Sequence, residues 1–64
     1  MRLNGEDVPL KDSPTLMEFL IREGYDPKIV AVLKNDLVVT KGTYDKEFLS
    51  EKDQLEVVTF VGGG

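Results

Sequence analysis

Residues 54–64 read QLEVVTFVGGG: a run of strand formers, then three glycines. Leu55 and Val57 alternate with Glu56 and Val58, the period-two pattern of a strand with one buried face. This strand is read as the centre of a sheet, and the rest of the chain is arranged around it. The glycines that follow it cannot hold a shape of their own, because glycine loses more conformational entropy on ordering than any other residue. They are either frayed chain or a tether built to move.

Working back from that strand, residues 29–39 read IVAVLKNDLVV. They predict a hairpin, IVAVL then LVV, with Lys34, Asn35 and Asp36 as its turn. Between this hairpin and the last strand, residues 42–53 are read as a connection with one helical or 3₁₀ turn over residues 44–49. At the other end, Asn4-Gly5 between MRL and EDVPL predicts a tight hairpin whose central positions both need positive φ. Pro9 fits only a strand end or an edge. The helix falls within residues 11–27. Thr15 and Glu18 have the spacing of a capping box, in which each side chain satisfies a backbone N–H. Leu16, Phe19, Leu20 and Glu23 follow at helical spacing, Gly24 marks the stop, and Asp26-Pro27 bars continuation. The element order is β-β-α-β-β-β, one helix across a mixed sheet, an α+β fold.

Composition narrows the function. A chain of 64 residues is one small domain with a thin core. There is no Cys and no His, which removes disulfides, thiolate chemistry, the commonest general base and the commonest metal ligands; no metal site is expected. The net charge of −4 without a basic cluster argues against nucleic acid as a partner. IVAVL is the longest apolar run, far short of a membrane span, and MRLNGED lacks the apolar core of a secretory signal. The expected location is cytoplasmic. Carboxylates are plentiful, but nothing predicts a dry cleft to shift their pKa values, so hydrolase chemistry is set aside.

Alternation also predicts a docking face. With Leu55, Val57, Val30 and Val32 turned to the helix, Ala31, Leu33, Val58 and Phe60 turn outward as an apolar patch fit for a protein partner. The alternative is an ordinary sheet face partly covered by the 43–53 connection. Glu6, Asp7, Glu51, Asp53 and Glu56 are read as solvated surface, and Lys41 and Tyr44 as loop packing.

The LNGE hairpin, the TLMEFL helix start, the VAVLKND strand and turn, and DQLEVVTFVGGG at the end together resemble the ThiS-type sulfur carriers of thiamin (thiazole) biosynthesis. That family is part of the ubiquitin-like β-grasp group. The resemblance implies a β-grasp domain over residues 1–61, a mixed sheet of four to five strands with one main helix, and a flexible tail over residues 62–64. Lys41 and Tyr44 stand where the family usually has a basic residue and an aromatic. The chain departs from the family pattern in its short first strand, in KND at the middle turn, in Lys52 before Asp53, and in VVT before Lys41.

The resemblance further implies a carrier, not an enzyme. A ThiF-like adenylating partner would use ATP-Mg to activate the Gly64 carboxylate, a sulfur donor enzyme would convert it to a thiocarboxylate, and thiazole synthase would receive the sulfur. No cofactor is expected on the chain itself. Gly62 and Gly63, lacking Cβ atoms, suit passage through a narrow channel, and at about 3.3–3.6 Å per residue the three glycines reach about 10 Å. Two alternatives remain open. One is a carrier like the small subunit of molybdopterin synthase; the other is a ubiquitin-like modifier or β-grasp interaction domain without sulfur chemistry.

Overall fold

The computed structural model describes residues 1–12 and 14–60. The order is β1 (Arg2–Leu3), β2 (Glu6–Asp7), α1 (Leu16–Arg22), β3 (Val30–Lys34), β4 (Leu37–Val38) and β5 (Gln54–Thr59). The five strands form one sheet in the order β2-β1-β5-β3-β4. The last strand is therefore central, parallel to β1 and antiparallel to β3. Among the described residues, this mixed sheet with one helix is the expected β-grasp arrangement. The expected boundary between residues 61 and 62 lies outside the described residues, as do Gly62, Gly63 and Gly64.

Both hairpins are set by residues that tolerate positive φ. Asn4 (φ 50) and Gly5 (φ 86) join β1 to β2, pairing Leu3 with Glu6. Asn35 (φ 52) and Asp36 (φ 69) join β3 to β4. Asn and Asp accept the left-handed conformation better than other residues with a Cβ, and two such positions make the turn whose twist suits a hairpin. The turn is two residues long where three were predicted. Lys34 belongs to β3, paired with Leu37, because a third turn residue would break that register.

The helix starts and stops where its sequence signals stand. The Thr15 hydroxyl oxygen accepts the Glu18 N–H at 3.2 Å. The other half of the predicted capping box differs: the Thr15 hydroxyl donates to the Glu18 carboxylate at 2.9 Å. At the C-terminus, Gly24 (φ 88) donates to the Ile21 carbonyl and Tyr25 to the Leu20 carbonyl, a Schellman closure. Glu23 is the C-cap and lies exposed, so the apolar stripe ends at Leu20.

Leu16, Phe19 and Leu20 pack without solvent contact against Val30, Val32 and Leu55. Each such side chain contributes about 1.5–3 kcal/mol of burial. The 42–53 connection forms no helix; it makes two turns, closed by Lys46 N–H to the Thr43 carbonyl and by Asp53 N–H to the Ser50 carbonyl. Between the two turns, three backbone bonds tie it to the helix entry: Leu16 N–H donates to Glu47, Leu49 N–H to Pro14, and Met17 N–H to Tyr44. Phe48 bridges to Thr15, while Tyr44 and Leu49 sink into the core.

Candidate docking face and tail root

Because β5 is central, its two faces have different fates. Leu55 and Val57 are buried under the helix; Glu56 and Val58 point away from it. The register with β3 sets Ala31 against Val58 and Leu33 against Glu56, and β4 adds Val38 beside Leu33. Phe60, one residue past the strand, stays on the sheet because its N–H donates to the Ile29 carbonyl at 2.8 Å. The structure thus brings Ala31, Leu33, Val58 and Phe60 to one face, as alternation predicted. Val58 and Phe60 are about half exposed, at 52% and 54%, and Ala31 and Leu33 are partly covered.

Ile29 and Val38 join this face without having been singled out from sequence, and both are exposed. Stepping back two residues from Ala31 finds Ile29. Val38 emerges only once the two-residue turn fixes its pairing with Leu33. The 43–53 connection reaches the core and the helix entry through Tyr44, Glu47 and Leu49.

Polar groups frame the face. Glu56 opposes Leu33 near one end. At the other end, the Lys41 ammonium stands 5.7 Å from the centroid of the Phe60 ring and donates to the Lys28 carbonyl at 2.7 Å. The sequence continues from Phe60 into Val61 and the glycines, so the tail is rooted on this face.

The groups with displaced pKa values are structural. The Tyr44 hydroxyl is raised by burial. Lys34 is raised by its contact with Glu47 at 2.8 Å, against the opposing effect of its partial burial. Burial pushes the Asp53 carboxyl up, but donors from Asn35 and Ser50 and the charge of Lys34 outweigh it and hold the carboxyl below its ordinary value. Asp53 is thus a buried-edge anchor, not the solvated charge expected from sequence. Among the described residues no helix is long and apolar enough to cross a membrane.

Comparison with known proteins adds the relationships. A family model, that of the ThiS family, matches residues 1–64. A thiazole synthase of Magnetococcus marinus is 45% identical over 64 residues, and this chain spans 20% of its length. The sulfur carrier protein ThiS of Bacillus subtilis is 38% identical over 65 residues, with 98% of that protein covered. A crystal structure of thiamine biosynthesis protein ThiS from Geobacter metallireducens has a TM-score of 0.78 at 23% identity, covering 98% of this chain and 96% of that one. At that identity the likeness establishes the fold.

Proposed function

The chain belongs to the ThiS family, and from that premise we propose that it is a non-enzymatic sulfur carrier of thiamin (thiazole) biosynthesis, loaded at Gly64. The observation that carries this reading is the placement of Phe60: the exposed apolar face of the central strand runs directly into the glycine tail. A partner docked on that face would receive the tail in its own active site.

The chemistry follows from the group on offer. A main-chain carboxylate has a reference pKa of about 3.3–3.7, so at neutral pH it is ionised and a poor electrophile. An adenylating enzyme would join it to the α-phosphate of ATP, releasing pyrophosphate and leaving a mixed anhydride with AMP. Hydrosulfide would then attack the Gly64 carbonyl carbon; the C–O bond to AMP breaks, AMP leaves, and a thiocarboxylate remains. If the donor is a persulfide, the acyl disulfide first formed needs a thiol to reduce its S–S bond. Thiazole synthase is the proposed acceptor, supported by relatives of that name that contain a segment similar to this chain.

The test is intact mass. Incubated with ATP-Mg²⁺, the adenylating enzyme and a sulfide source, the chain should gain the difference of one sulfur for one oxygen, mapped to its C-terminal peptide. Adding one residue after Gly64 should abolish the gain. Unmodified Gly64, with an enzyme shown to be active on another carrier, would leave the interaction-domain reading in its place.

A further inference from the structure

Three separate stretches meet at the root of the tail. Lys41, past the end of β4, reaches the Lys28 carbonyl with its ammonium at 2.7 Å and stands 5.7 Å from the centroid of the Phe60 ring. Phe60 is held from its backbone side by Ile29 at 2.8 Å. A half-exposed phenylalanine on a sheet surface ordinarily exchanges rotamers. Here a cation fixed by a carbonyl lies within cation–π range of it, an attraction that favours the ring position seen.

We propose that Lys41 is a positioning residue: it holds the Phe60 ring in the outward position that an adenylating enzyme engages. This rests on the carrier function proposed above, since that enzyme is the partner. Docking onto a ring already held forfeits less side-chain freedom than docking onto a free one. Immobilising one rotamer-rich side chain weakens affinity by roughly 2–10-fold.

Lys41→Met keeps the stem and removes the ammonium; Lys41→Arg keeps a cation able to reach the same carbonyl and ring. In ATP–pyrophosphate exchange with the adenylating enzyme, Lys41→Met should raise the KM for the carrier by roughly 2–10-fold, with kcat held. Lys41→Arg should recover most of the loss. In a Phe60→Ala background, Lys41→Met should add nothing, because the ring through which it acts is gone. In the free protein, the Lys41 ε-methylene protons should show a ring-current shift that Phe60→Ala removes.

An unchanged KM for Lys41→Met, or an equal penalty in both backgrounds, would overturn the proposal while leaving the carrier function intact. So would the absence of the ring-current shift. A wild-type chain that is neither bound nor adenylated by an enzyme active on another carrier would sink the carrier function, and this proposal with it.

Discussion

At the scale of single residues, side chains here complete backbone pairing that the short strands leave unfinished. Strand β1 ends at Leu3, yet the Asn4 amide carries its pairing with β5 one step further. Its oxygen accepts the Val57 N–H at 2.8 Å and its nitrogen donates to the Val57 carbonyl at 3.4 Å. Tyr44 does the same on the other side, donating its buried hydroxyl to the Val30 carbonyl at 3.2 Å. Tyr44→Phe keeps the packing but orphans that buried carbonyl, which should cost about 1–3 kcal/mol. For a domain of this size each 1 kcal/mol lowers Tm by about 4–8 °C. An unchanged Tm would mean that water reaches the Val30 carbonyl in the variant.

At the scale of elements, the middle hairpin is pinned to the 42–53 connection by charge. Lys34 contacts Glu47 at 2.8 Å and Asp53 at 3.7 Å, and donates to the Phe48 carbonyl. Asn35 in the turn donates to Asp53 and accepts from the Gln54 N–H. The Asp53 pKa is depressed in the folded chain, so its stabilisation is present above the unfolded value of about 3.9 and is lost as pH falls through the folded value. Asp53→Asn should therefore be less stable than wild type at pH 7, and the gap in urea midpoint should close as the pH is taken below about 4. A gap that stays constant down to pH 2 would show that the carboxylate charge contributes nothing.

At the scale of the whole molecule, one helix covers one face of the sheet, and the other face keeps Ile29, Val38, Val58 and Phe60 exposed. Exposed apolar groups grouped on one face are the kind of surface a protein partner uses, and the proposed carrier function puts the adenylating enzyme there. Phe60→Ala and Leu33→Asp should each weaken binding to the adenylating enzyme by about 1–3 kcal/mol. Melting temperature should barely move for Phe60→Ala, whereas Leu33→Asp sets a carboxylate opposite Glu56 at a partly covered position and should lower it. If Phe60 instead held the core together, Phe60→Ala would cost about 3–5 kcal/mol of folding energy and leave affinity alone. Both quantities measured on one variant separate the cases.

Features governed by local chemistry were legible in the residues alone. Asn4-Gly5, Thr15 with Glu18, and Gly24 mark their turn, cap and stop because each acts through its own backbone neighbours. Alternation along 54–60 assigned Val58 and Phe60 to the face opposite Leu55 and Val57, since side chains on a strand have nowhere else to point. Tertiary structure decided what depends on distant partners. The single turn expected over residues 44–49 closes at Lys46 N–H to the Thr43 carbonyl and goes no further, because Tyr44, Glu47 and Leu49 bond Met17, Leu16 and Pro14. Asp53 looked like any surface acid until Asn35 and Lys34 closed around it. Lys41 gave no sign of Phe60, nineteen positions away by number, because only the folded sheet brings the end of β4 beside the root of the tail.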